Sequence, residues 1–93
     1  MTAPDEVAEA VLAHPCVTRL HGGPFGTVAS YLPGRTVLGV RMGEIGEPVE
    51  VAVVVRLLKP LPDTIAEIRG RIRGIVGQVP VHVLVSDVDS AES

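Results

Sequence analysis

Two histidines and the single cysteine are the side chains best suited to catalysis or metal binding. His14, Cys16 and His21 lie close together in the sequence. A thiolate beside an imidazole can act as a nucleophile, and both side chains bind zinc. Their spacing matches no zinc pattern, however, and a free cysteine at the start of a strand is typically a small buried residue. The sequence therefore predicts no catalytic residue, no bound metal and no cofactor, and it predicts that the protein is not an enzyme.

A second candidate for chemistry is the glycine-rich loop that begins at Gly22 and ends at Gly26. The backbone N–H groups of such a loop can hold a phosphate or another anion, most effectively at the start of a helix. Here Pro24 removes one N–H group, no lysine follows the loop, and the next segment has strand character. A turn that needs positive φ angles is the simpler interpretation. Binding of an anion or small ligand by this loop is the alternative.

The charged residues predict neither an acid–base pair nor a nucleic-acid surface. Three glutamates in the middle of the chain have no obvious histidine or lysine partner for proton transfer. They are Glu44, Glu47 and Glu50. The only basic cluster consists of Arg69, Arg71 and Arg73, and helical spacing puts these residues on different sides of a helix. The net charge is −3, whereas nucleic-acid-binding domains are typically basic.

Length and composition predict one small domain with an aliphatic core. The chain has 93 residues, of which 46% are hydrophobic and only 2% aromatic. No apolar run reaches the ~18 residues that a membrane-spanning helix needs, and the acidic N-terminal segment is unlike a signal peptide. We therefore expect a cytoplasmic domain formed by residues 1–88, with a flexible polar tail at residues 89–93.

Hydrophobic periodicity predicts the elements that position these side chains. A first helix begins after Thr2 and ends at His14-Pro15, and a second helix begins at Pro62 and ends at Gly77. Strands are predicted at residues 17–22, 27–32, 36–42, 49–58 and 79–88. This order predicts an α+β fold with a mostly antiparallel sheet of four to five strands and both helices on one face. The connection through the second helix makes its two flanking strands parallel, and Val53 should share a core with Ile68.

The opposite face of this sheet is the predicted site of self-association, because its apolar residues would lack cover from the helices. The predicted interface residues are Ala52, Val54, Leu58 and Leu84. A weaker candidate is the helix side that carries Gly70 and Gly74, where small residues would let another backbone approach. The residues thus favour a homo-oligomeric interaction module. The rivals are a ligand-binding domain and, third, an enzyme that uses Cys16.

Two stretches of the sequence resemble the alkaline shock protein family of Gram-positive bacteria, in its short actinobacterial form. The first comprises residues 11–17, 22–26 and 31–35; the second comprises the valine-rich strand, the Pro62 helix and the ending at residues 79–88. The chain departs from the family pattern at Leu57-Leu58-Lys59-Pro60, where members often have Tyr-Gly, and at Cys16-Val17, where they often have Gly-Val. The resemblance implies a non-enzymatic cytoplasmic protein of the cell-envelope stress response. Such a protein would associate with itself or with a membrane-anchored partner, without inserting into the membrane.

Overall fold

The computed structural model describes residues 2–44 and 46–89. In chain order, the elements are α1 (Ala3–Leu12), β1 (Val17–Leu20), β2 (Ala29–Leu32), β3 (Arg35–Leu38), β4 (Val40–Met42), β5 (Val49–Arg56), α2 (Leu61–Val76) and β6 (Val81–Asp89). The predicted α+β class and the predicted order of helices and strands are confirmed. Asp89, which was predicted to begin the tail, belongs to β6, and the rest of that tail lies outside the described residues.

The strand β5 is the centre of a four-stranded sheet. β6 runs parallel to it along one side, from the Val49–Val81 pair to the Arg56–Asp89 pair, which confirms the predicted parallel crossover. β1 and β4 both run antiparallel along the other side of β5. β1 lies beside the C-terminal half of β5 and β4 beside its N-terminal half. β2 and β3 form a separate two-stranded hairpin.

Gly39 lies where β4 replaces β1 as the neighbour of β5. Ala52 accepts a hydrogen bond from the His21 N–H at 2.9 Å and donates its own N–H to Gly39 O at 2.9 Å. Gly39 has a φ of 86°, and a Cβ at this position would lie 2.6 Å from Leu20 Cβ. Only glycine combines that backbone angle with so close an approach. The single strand predicted over residues 36–42 was therefore wrong in one respect: the chain turns at Gly39 and divides it between β3 and β4.

Both helices pack on one face of the sheet, as predicted. The Thr2 hydroxyl accepts a hydrogen bond from the Asp5 N–H at 3.4 Å, and the Asp5 carboxylate accepts one from the Thr2 N–H at 3.2 Å. This reciprocal capping box defines the start of α1. One apolar stripe from each helix then meets alternate residues of β5. The buried residues of this core include Val7, Val11, Val51, Val53, Val55, Ile68 and Ile72. The predicted packing of Val53 and Ile68 in one core is confirmed.

The β2–β3 hairpin is tied to the N-terminus of α1. Its turn has Pro33 at the first central position and Gly34, with a φ of 77°, at the second, as in a type II turn. Arg35 follows the turn and donates hydrogen bonds to both carboxylate oxygens of Asp5, at 2.7 and 2.5 Å. These bonds hold the pKa of the Asp5 carboxyl well below its ordinary value, with a further contribution from Thr2. The hairpin therefore has a fixed position beside the helical layer.

Candidate interaction surface

The sheet face opposite the helices does not expose the two residues at the centre of the predicted interface. Ala52 and Val54 each have an exposed fraction of 0%. Neither side chain can contact another molecule unless the chain first rearranges. The expectation that this part of the face lacks cover within the chain was wrong.

Two features lie on this face. The segment between β1 and β2 approaches this face at Leu84, since a Cβ placed on Gly23 would lie 3.6 Å from Leu84 Cδ2. In addition, an ion pair with an N–O distance of 3.7 Å joins Arg19 of β1 to Asp89 of β6. Because β1 and β6 flank β5 on opposite sides, this pair must cross β5. Sequence periodicity identifies the two faces of a strand, but it cannot show that a connecting loop covers one of them.

An apolar patch remains exposed at the border of this cover, and we call it the Leu38–Leu84 patch. It comprises Leu38 and Leu84, which lie beside the buried glycines Gly22 and Gly23; Phe25, also exposed, follows two residues later in the loop. A Cβ on Gly22 would lie 3.1 Å from Leu38 Cδ1, and one on Gly23 would lie 3.6 Å from Leu84 Cδ2. The two leucines therefore flank adjacent glycines. Leu84 is 41% exposed and Phe25 is 88% exposed. Of the predicted interface residues, Leu84 is thus the one that lies in an exposed apolar surface on this face.

The other predicted interface residues lie elsewhere. Leu58 is 56% exposed, but it follows the end of β5 in a bend rather than lying in the sheet. Gly70 and Gly74 are exposed on α2, and no heavy atom lies within 4 Å of a Cβ built on either glycine. Both glycines therefore have open space beside them.

The outer edge of β6 is the other prominent feature next to Leu84. β6 pairs with β5 on one side, and among the described residues no strand pairs with its other side. An edge strand presents backbone N–H and C=O groups that can pair with another chain. Two side-chain contacts lie near its ends: Arg69 Nε donates to Val81 O at 3.1 Å, and Val88 N–H donates to Asp87 Oδ1 at 2.8 Å. The arginine contact also removes Arg69 from the basic cluster considered above.

The glycine loop does not direct its N–H groups at a common point. Gly23 N–H donates to His21 Nδ1 at 3.0 Å, and Gly26 N–H donates to Gly23 O at 3.2 Å. The N–H of Val28, just beyond the loop, donates to Gly22 O at 3.0 Å. Groups that already donate within the loop are not free to hold an anion. A cleft of about 280 Å³ lies elsewhere, between the loop after β4 and the end of α2, and no residue of the glycine loop lines it.

His14 and Cys16 are brought together, but in an arrangement unsuited to nucleophilic catalysis. Both residues are buried. His14 Nδ1 accepts a hydrogen bond from the Cys16 backbone N–H at 3.0 Å, so the ring proton lies on Nε2, which donates to Glu67 Oε1 at 2.8 Å. Both ring nitrogens are therefore occupied, and neither can accept the thiol proton. His14 instead connects the turn after α1 to α2.

Glu67 completes this connection through a second hydrogen bond. Its Oε2 accepts from Lys59 Nζ at 2.8 Å. This bond, together with the one from His14, lowers the pKa of the Glu67 carboxyl, and the same contact raises the pKa of Lys59. Glu67 and Arg71 are four residues apart on α2, a spacing that favours an ion pair on a helix. Arg71 instead donates to Ala10 O at 3.3 Å, which links α2 to α1.

The remaining acidic residues are not arranged as an acid–base pair. Glu50 forms an ion pair with Arg41 across the β4–β5 pairing, at 2.7 Å. Glu47 accepts a hydrogen bond at Oε1 from the Glu44 N–H at 3.3 Å. Within residues 2–44 and 46–89, no three His, Cys, Asp or Glu side chains gather in a group that could hold a metal ion. In the same part of the chain, no helix has the length and apolar character needed to cross a membrane.

Sequence reasoning missed several residues that define these surfaces. Leu38 was assigned only to a strand and Phe25 only to a turn. The hydrogen bonds of Arg69 with Val81 and of His14 with Glu67 join residues far apart in the sequence, so no local pattern indicates them. Comparisons with protein-family models, with curated proteins and with solved structures found no match for this chain.

Proposed function

We propose that this protein is a non-enzymatic, self-associating interaction module. The observation that carries the proposal is the Leu38–Leu84 patch, where two exposed leucines lie beside two adjacent buried glycines. Contiguous exposed apolar surface is a common property of protein–protein contact sites.

The arrangement of the polar groups supports an interaction role over catalysis. The imidazole nearest the cysteine has both nitrogens hydrogen-bonded, and the thiol of Cys16 is buried. Catalysis by a thiol requires an accessible thiolate and a base that can take its proton. The Gly23 and Gly26 N–H groups of the glycine loop already donate to His21 Nδ1 and Gly23 O, so no observation favours the anion-binding alternative for that loop.

The cellular context of the proposal comes from the sequence resemblance alone. The similarity to alkaline shock proteins leads us to propose a cytoplasmic role in the cell-envelope stress response, either alone or with a membrane-anchored protein partner. The protein's abundance before and after a shift to alkaline medium tests this part. We expect abundance to rise, and unchanged abundance under alkaline and cell-wall stress would contradict it.

Self-association is tested by the molecular mass in solution. Sedimentation equilibrium or light scattering from low to high micromolar concentration should show a mass above that of the 9.7 kDa chain. Leu38→Asp places a charge in the exposed patch and should shift the mass toward that of one chain. A wild-type protein that stays monomeric at high micromolar concentration would refute the proposal.

A further inference from the structure

We propose that the two histidines flanking β1 form a pH-sensitive device, in which protonation of either ring releases the backbone segment that it holds. The device goes beyond the proposed self-association and does not depend on it. His14 lies before β1, and His21 directly follows it. Each ring makes the same contact with the backbone two residues later, and this recurrence carries the inference.

The shared contact is a hydrogen bond from a backbone N–H to the ring atom Nδ1. Cys16 N–H donates to His14 Nδ1 at 3.0 Å, and Gly23 N–H donates to His21 Nδ1 at 3.0 Å. A backbone N–H can only donate, so Nδ1 of each ring is the acceptor and the neutral ring carries its proton on Nε2. The nitrogen that takes up the second proton of an imidazolium is therefore the one that holds the backbone.

Protonation replaces each of these hydrogen bonds by a conflict between two donors. With a proton on Nδ1, the ring N–H and the backbone N–H would point at each other across 3.0 Å. Cys16 and Gly23 are buried, so water cannot take the place of the lost acceptor while the segment keeps its position. Each released N–H finds a new partner only when its segment opens to solvent. An imidazole ordinarily changes its charge between about pH 5 and 8, and acid in that range therefore favours the open state.

The groups around His14 determine which side of the ring gives way. Glu67 of α2 accepts from Nε2 at 2.8 Å, and its other carboxylate oxygen accepts from Lys59, which also has Cys16 and Asp63 nearby. An imidazolium keeps the Nε2–H that Glu67 accepts, so this contact is present whether the turn is closed or open. The attraction of the carboxylate for the added charge therefore does not oppose opening. The conflict at Nδ1 remains, and the turn between α1 and β1 is the part that moves.

His21 lies in a simpler environment. Its ring is half-buried, and in the part of the chain that the structure describes no charged side chain forms an ion pair with it. Its backbone N–H donates to Ala52 O at 2.9 Å, so the residue itself stays tied to β5. Protonation at Nδ1 releases Gly23, which lies beside Leu84 in the Leu38–Leu84 patch. Acid thereby loosens the glycine loop next to that patch.

Amide hydrogen exchange followed by NMR tests the release at both positions. Protection is the exchange rate of an unfolded chain divided by the observed rate, and it reports local opening. Because the open state binds one proton more, protection falls about tenfold for each pH unit below the titration of the ring. From about pH 7.5 to about pH 5, which covers the imidazole range, the protection of the Cys16 and Gly23 amides should fall about tenfold or more. That of Val53, in the centre of the sheet, should stay constant.

Asparagine provides the matched control, because its Oδ1 accepts the N–H of the residue two positions later and does not titrate. In His14→Asn, protection of Cys16 should no longer depend on pH, whereas Gly23 keeps its response. His21→Asn should show the reverse, so each variant is the control for the other. If a variant fails to fold, judged by circular dichroism, the wild-type protection and the ring signals decide alone.

The ring nitrogen signals of the wild-type protein test the starting geometry. At neutral pH, proton–nitrogen correlation spectra should show Nδ1 of His14 and of His21 without a proton, and the exposed His82 gives the signals of an unconstrained ring. A proton on Nδ1 of either flanking ring would overturn the device.

Three exchange results would also overturn it. They are flat protection at either amide of the wild type, a fall of equal size at Val53, which would mean unfolding of the whole domain, and an unchanged pH response in the asparagine variants. All of these measurements report on a single chain. A monomeric wild type would therefore refute the proposed self-association and leave the histidine device intact.

Discussion

Truncation of Ile68 tests the packing of α2 on the sheet. Its side chain is fully buried in the core that contains Val53 and Ile72. Removing a buried isoleucine to alanine costs about 2–5 kcal/mol, through lost transfer free energy and the cavity left behind. A domain of 93 residues has a total unfolding free energy of about 5–14 kcal/mol. Ile68→Ala should therefore remove a large share of it, and the melting temperature should fall by about 10–30 °C.

The matched control for this prediction lies on the same helix. Ile75 is 36% exposed, so Ile75→Ala removes the same atoms from a site that already contacts water. Its cost should be about half that of Ile68→Ala or less, because the loss scales with the apolar area that was buried. Denaturant unfolding followed by circular dichroism measures both variants. Equal losses at the two positions, or a melting temperature for Ile68→Ala within a few degrees of wild type, would refute the described packing.

Three further predictions concern single residues. Gly39→Ala should destabilise the fold strongly, because a Cβ there would lie 2.6 Å from Leu20 Cβ on a backbone with positive φ; wild-type stability would contradict the junction between β1 and β4. The Asp5 carboxyl has a pKa lowered from its ordinary value of 3.8, mainly by Arg35, so its contribution to stability is present above that value and is lost as pH falls. Urea unfolding at several acidic pH values should show a flatter pH dependence for Asp5→Asn; an unchanged slope would contradict this linkage. Cys16 should react with a thiol reagent far more slowly in native buffer than in denaturant, and equal rates would show that the thiol is accessible.

Much of the fold follows from local sequence patterns. Pro62 and Gly77 delimit a helix because proline fits a first turn and glycine adopts the positive φ of a helix end. Within β5, residues 51–55 form an unbroken apolar run, which is typical of a strand buried on both faces. That burial was only half recognised, since one face was assigned to the core and the other to an interface.

The candidate site was harder to predict because its cover and its free edge depend on long-range contacts. Val54 is buried in a face crossed by an ion pair between β1 and β6, and nothing near Val54 in the sequence indicates that pair. Consequently, Val54→Asp would bury a charge rather than test an interface. Leu84 was predicted as an interface residue from its strand position. That Leu84 stays exposed while Ala52 and Val54 are buried emerged only from the folded chain.

The molecular mass of the wild-type chain in solution tests the central claim most directly. Sedimentation equilibrium should be run over a concentration series that extends to high micromolar. A dimer predicts a mass of 19.4 kDa, twice the 9.7 kDa of one chain, with dissociation on dilution. A mass of 9.7 kDa throughout the series would contradict the proposed self-association.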